Sequence, residues 1–264
     1  GGKQTPDPVV RWLDFRLKPI RETQHGKNAS LRQSEALMAA IIREADRRGL
    51  SAPSLWPSLP TAVELDVLKR QTAGLVLGIG DDPLHRATPV IVHPLAHGLL
   101  ISEEAAAQRA FLQCLVQSAG RFDETAEFVM LDPLDQLPQF LAEPAVIEVL
   151  SFKHPEWMER FFSLLDRGLR QRRSAEIPLL IVVLQLGAIL DRWDHLALFQ
   201  RLLEEGPSLN LYLLCAEKQI SRLPLRLAQN LRIRYILGPA APAQLGEALE
   251  RTWTQPLAAG KGLF

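Results

Sequence analysis

The sequence predicts an α/β domain built on a mainly parallel sheet with helices on both faces. Short continuous apolar runs such as "IPLLIVVLQ" (177–185) and "LNLYLLCAE" (209–217) have the pattern of strands buried on both sides. Between them lie segments with apolar residues at helical spacing, such as "HPEWMERFFSLLDRGLRQRR" (154–173), and this alternation implies parallel pairing. A chain of 264 residues that is 47% apolar and 23% charged can bury one large core.

The elements follow in order. "VVRWLDFRLKPI" (9–20) has the β-branched and aromatic alternation of a strand. "SEALMAAIIREADRRG" (34–49) puts Leu37, Ala40, Ile41 and Ala45 on one helical face and closes on glycine. "LSAPSLWPSLPTA" (50–62) carries three prolines around Trp56 and reads as an extended connector. A strand-helix extension over 1–62 is therefore expected to precede a domain over 63–264. "AGLVLGIGDD" (73–82) and "ATPVIVHP" (87–94) read as paired strands, and "HGLLIS" (97–102) as a strand feeding the helix "AAAQRAFLQCLVQSAG" (105–120). "AEFVMLD" (126–132) is the next strand, followed by the helix over 154–173 and the strand over 177–185. One helix is expected over 188–206, then strands over 209–217 and 231–238 and a last helix over 243–253.

Composition removes several function classes. Thirty basic residues balance thirty acidic ones, so no global field draws the chain to nucleic acid. Cys114 and Cys215 lie in apolar stretches without a CxxC pair or a histidine cluster, which reads as buried thiols in a reducing compartment and no metal site. The longest apolar run, 177–190, is too short to cross a bilayer. The opening Gly1-Gly2 reads as a cloning scar or the edge of an excised piece, so membrane helices are free to lie elsewhere in a parent chain. His25, His85, His93, His97, His154 and His195 are scattered, no G-x-S-x-G elbow accompanies them, and no catalytic residue is assigned. Asp132 and Asp135 in "DPLDQLP" read as a turn with capping aspartates.

In a parallel α/β sheet the ligand site lies at the carboxyl ends of the strands. A phosphate-binding loop there has the form G-x-x-x-x-G-K-[ST], with backbone amides and lysine on the phosphates and the hydroxyl on magnesium. Laid on that template, the chain offers Ser102 and Ala107 for the glycines, Gln108 for lysine and Arg109 for the hydroxyl. Glu103 and Glu104 add negative charge where the phosphates would go, while favouring a helix start with Ser102 as N-cap. The carboxylates that hold magnesium and polarise the attacking water are replaced by Gln185 and Leu186 at the end of the strand 177–185. Neither ATP nor magnesium is expected to bind, and Arg109 reads as a solvated surface residue.

The order of these segments resembles the FtsK/SpoIIIE-type ATPase modules of type VII secretion coupling proteins, the EssC/EccC family. The resemblance rests on "SLWPSLPTAVELDVL", "LGIGDDPLHRATPVIV", "HGLLISEEAAAQRAFLQCLVQS", "EFVMLDPLDQLPQF", "IPLLIVVLQLGAIL", "LNLYLLCAEKQISRLPLRLAQNLRIRYILG" and the closing "LAAGKGLF", taken together in order and spacing. It implies a RecA-like P-loop NTPase fold in a degenerate carboxyl-terminal module: a pseudo-ATPase serving recognition or regulation in a membrane-anchored motor, at the cytoplasmic face of the cell membrane. Implied partners are the other ATPase modules of the motor and small helical-hairpin substrates read through a carboxyl-terminal signal. The alternative is a working translocase subunit, for protein or DNA, whose ATP site is unusual or completed by a partner. Trp157, Phe161 and Phe162 either line a peptide groove or belong to the core. Arg170, Arg172 and Arg173 either face an acidic tail or complement the helix dipole.

Overall fold

A computed structural model describes residues 33–49, 63–80, 89–120, 126–249, 257 and 262–263. The chain divides into two compact units, residues 1–57 and 58–264. In the first, helix α1 (Gln33–Arg47) ends in a turn with Gly49 at φ +65°, and Glu44 pairs with Arg47 and Arg48 on its exposed side. The strand expected over 9–20 and the connector over 50–62 lie outside the described residues.

The second unit opens with the short helix α2 (Leu65–Lys69) and an antiparallel pair, β1 (Leu75–Ile79) with β2 (Val90–His93), which forms its own two-stranded sheet. The main sheet is built from β3 (Gly98–Ile101), β4 (Glu127–Leu131), β5 (Val146–Leu150), β6 (Leu179–Leu184), β7 (Leu211–Glu217), β8 (Ile233–Leu237) and β9 (Gly262–Leu263). Their order is β5-β4-β6-β7-β3-β8-β9; all neighbours are parallel except β9, which runs antiparallel to β8. The expected mainly parallel sheet is thus present.

The apolar runs are continuous because both faces are covered. Leu99, Val129, Leu131, Ile181, Val183, Leu213 and Cys215 point to one face. Leu100, Phe128, Met130, Leu180, Val182, Tyr212 and Leu214 alternate with them towards the other. The first face is roofed by α4 (Pro155–Arg170), α5 (Leu186–Arg192), α6 (Leu196–Glu205), α7 (Leu225–Asn230) and α8 (Pro242–Leu249), which contribute Met158, Phe162, Ile189, Phe199, Leu227 and Leu245. The second is covered by α3 (Ala105–Gly120), the 3-10 turn Pro138–Ala142 and the β1 strand, through Leu112, Leu115, Phe140 and Leu75. A fully buried leucine on such a face contributes roughly 1.5–3 kcal/mol.

Three expectations change. The single helix over 188–206 is two helices, because Trp193 takes an extended backbone (φ −132°, ψ 133°) between α5 and α6. That break seats its indole against Phe152 and Phe162, with the Arg192 guanidinium 5.0 Å above the ring. Strand β5 escapes the sequence pattern because it is the sheet edge: Ile147 is exposed and Glu148 interrupts the run. Ser102 does not cap α3, which begins at Ala105; Glu104 precedes that first turn, and its carbonyl accepts from Ala107 and Gln108.

Candidate functional site

The strand ends that a parallel sheet offers to a ligand are here β3, β6 and β7, and the end of β7 ties the other two together. The Ala216 carbonyl accepts a hydrogen bond from the Gln185 amide at 2.9 Å, fixing the exit of β6. The Glu217 carbonyl accepts from the Ser102 amide at 3.0 Å, fixing the exit of β3. Only residues 102–104 separate β3 from α3, so the template positions Ala107, Gln108 and Arg109 fall inside the helix.

Gln108 turns inward and is 7% exposed. Its Nε2 donates to the Ser102 and Glu217 carbonyls, at 2.9 Å each, so both amide hydrogens are spent on the protein's own backbone. Ser102 is buried beside it, and its Oγ accepts from the Glu104 amide at 3.3 Å. Glu103 and Glu104 are exposed at the mouth of the loop, Glu103 held by Gln244 of α8. Arg109 is exposed on α3, and Ala107 is half-buried.

At the β6 exit, Gln185 sits in the left-handed region (φ 52°, ψ 58°) and turns the chain directly into α5. Leu186 is fully buried in the core under the roof helices. Of the six template positions, the structure therefore brings Ser102 and Gln108 into contact, leaves Gln185 facing an adjacent cleft, and sends Leu186 into the core and Arg109 to the surface.

That cleft, about 420 Å³, is lined by Gln185, Gly187, Asp191, Glu217, Lys218 and Arg222 together with Ala188, Gln219 and Ser221. Gly187 allows α5 to approach the Arg222 turn closely: a Cβ there would lie 3.1 Å from the Arg222 carbonyl. Glu217 is the residue that sequence reading missed. It is 3% exposed, and its Oε1 accepts from the Gly187 amide at a long 3.4 Å. Burial pushes its carboxyl up to about 7, against the opposing pull of the Gly187 and Leu186 amides and the Arg222 charge. The available signal was an acidic side chain closing a wholly apolar strand at its carboxyl end.

The remaining candidates separate. Asp132 is buried, accepts from the Leu137 amide at 2.6 Å through Oδ2, and is raised by burial; Asp135, at φ 57°, pairs with Lys153. Phe162 is core, Phe161 is half-buried and Trp157 is 52% exposed. Arg170 pairs with Asp166 at 2.7 Å, while Arg172 (φ 48°) and Arg173 are exposed beyond the helix end. Cys215 is buried and Cys114 half-buried, both as free thiols. Among the described residues no helix is long and apolar enough to cross a membrane, and no three His, Cys, Asp or Glu side chains form a group able to hold a metal ion.

A parallel sheet in which the strand feeding α3 lies between β7 and β8, with β6 and β4 beyond β7, is a RecA-like P-loop NTPase fold. Solved structures with this fold include secretion ATPases. The chain superposes on the cytoplasmic domain of the type VII secretion ATPase EccC of Thermomonospora curvata with a TM-score of 0.58 at 16% identity, over 72% of this chain and 26% of that one. On EssC (ATPases 2 and 3) of Geobacillus thermodenitrificans the TM-score is 0.61 at 13% identity, over 81% and 45%. On Thermomonospora curvata EccC (ATPases 2 and 3) in complex with a signal sequence peptide it is 0.50 at 16% identity, over 72% and 40%. The chain thus spans less than half the length of each. No protein-family model and no curated sequence matches it.

Proposed function

We propose that this chain is a module of a type VII secretion motor without ATP hydrolysis of its own, serving substrate recognition or regulation of an active neighbouring module. The observation that carries the reading is Gln108: the side chain at the lysine position is buried and donates both hydrogens to the Ser102 and Glu217 carbonyls. A phosphate arriving at this loop would meet Glu103 and Glu104 and no free donor from Gln108. At the second strand end, Leu186 in the core and Gln185 at the turn supply no carboxylate for magnesium.

The shared fold with EccC and EssC supports the secretion setting, with further ATPase modules of the same motor as partners. The signal sequence peptide bound to one of those structures supports a peptide as the recognised cargo. In this reading the module works at the cytoplasmic face of the membrane, held there by its parent chain. Calorimetric titration with ATP and magnesium, at concentrations able to detect millimolar affinity, tests it. No binding is expected, and Gln108→Lys is expected to restore no turnover; binding with turnover by the wild-type chain overturns the reading.

The second reading, a translocase whose site is completed by unusual residues or a partner, has one observation in its favour. Glu217 brings a buried carboxylate to the strand end beside Gln185, facing a cleft with Lys218 and Arg222. ATP turnover by the assembled motor that falls with Glu217→Gln in this module would establish it.

A further inference from the structure

Helix α4 carries a second apolar stripe besides the one it buries. At 100° per residue, Met158, Phe162, Leu165 and Leu169 form the core face. Trp157, Phe161, Leu164 and Gly168 form an adjoining line at the i, i+4, i+7, i+11 spacing. Trp157 and Leu164 are each 52% exposed, and the Gly168 position has open space where a Cβ would stand.

The packing of α4 explains why Trp157 and Leu164 are uncovered, with Phe161 between them half-buried against the core. Its neighbours hold the opposite flank: Trp193 Nε1 donates to Glu159 at 3.4 Å, Arg201 of α6 donates to Asp166 at 2.9 Å, and Phe162 packs against Trp193 and Phe199. The stripe faces away from α6. It is bordered on its solvent side by Arg160 and Arg167, two exposed arginines each about one helical turn from Leu164 and about two turns from one another, neither of which has an ion-pair partner among the described residues.

We infer that this flank of α4 is a docking surface for an amphipathic helix of another polypeptide that carries acidic side chains beside its own apolar ridge. The stripe runs about 16 Å from Trp157 to Gly168, which matches about three turns of a partner helix. Gly168 lets a helix approach closely at one end, and the Trp157 indole supplies a large apolar anchor at the other. The two arginines select acidic over basic neighbours. They also argue against a second copy of this chain, since antiparallel two-fold pairing of the stripes would bring the arginines of both copies side by side. The inference rests on the recognition part of the function proposed above and is independent of whether the ATP site is silent.

The test uses the full chain and a fluorescein-labelled synthetic helix of about 18 residues with leucines at i, i+4, i+7 and i+11 and glutamates on either side. A lysine-substituted peptide and vesicles containing phosphatidylserine serve as comparators. Anisotropy is expected to show binding of the acidic helix that weakens with salt and falls at least about tenfold in Arg160→Glu/Arg167→Glu and in Leu164→Glu. Both variants alter exposed positions, and circular dichroism and melting confirm that they fold. Equal binding of the lysine peptide, binding to vesicles in place of the peptide, unchanged affinity in folded variants, or no peptide binding would each overturn the inference. ATP binding with turnover, and no effect on the peptide result, would overturn the silent-site reading and leave this one standing.

Discussion

Glu217 offers a sharp test of how the strand ends are held. Its carboxyl rises from 4.5 to about 7 because burial removes it from water, while the Gly187 and Leu186 amides and the Arg222 charge compensate only in part. Between those two values the folded chain keeps a proton that the unfolded chain has lost. Stability therefore falls as pH rises through this window, by about 1.4 kcal/mol per pH unit and about 3 kcal/mol in total by pH 8. Glu217→Gln replaces the acid with a neutral side chain of the same shape. Urea denaturation of both proteins should give equal stabilities below about pH 4 and a growing advantage for the variant as pH rises above about 4.5, reaching about 3 kcal/mol or roughly 6–12 °C in Tm by pH 8 for a domain of this size. Curves that run parallel from pH 5 to 8 would refute the burial argument and place the Glu217 carboxyl in water.

Further outcomes follow from the same geometry. Gln108→Leu removes a donor from the Ser102 carbonyl and one of the two donors to the Glu217 carbonyl, and should cost about 2 kcal/mol in urea denaturation, whereas a Gln108 exposed to solvent would tolerate the change. Leu186→Asp, which places a carboxylate at the second template position, should cost about 3 kcal/mol or more because that side chain is fully buried; a stable variant would show that the exit of β6 can rearrange. His93 and His97 are pulled down to about 4 by burial, with His93 Nδ1 2.5 Å from the Tyr235 hydroxyl. Their neutral forms stabilise the fold fully above pH 6.5, and that contribution is lost as pH falls towards 4, so His93→Gln should flatten the acid limb of the stability profile measured by denaturation.

The parts of this molecule that were legible in the sequence are those set by a repeating local pattern. The runs 179–184 and 211–217 are buried on both faces, so every residue must be apolar and the strands declare themselves. Helix α3 matches its expected limits of 105–120, since a continuous periodic stretch leaves little choice of boundary. Where a residue answers to a distant partner, the pattern gave no warning. Trp193 breaks a helix that its neighbours would have continued, because its ring is claimed by Phe152 and Phe162. Among the described residues, edge strand β5 pairs on one side only and can therefore hold Glu148 and an exposed Ile147, which blurs its signature.

The candidate site divides along the same line. That the segments at the ends of β3 and β6 carry Ser102, Gln108, Gln185 and Leu186, and neither a glycine-rich phosphate loop nor a carboxylate pair, is a matter of residue types, and the sequence alone determined it. It could not say what those residues do instead. Gln108 bonds to a carbonyl 109 positions away, and Glu217 reaches the head of α5 across a strand crossing. Those partners exist only once the parallel sheet has set β3, β6 and β7 side by side. Hydrogen bonding and desolvation depend on distance in space, and the tertiary structure alone decides which residues are near.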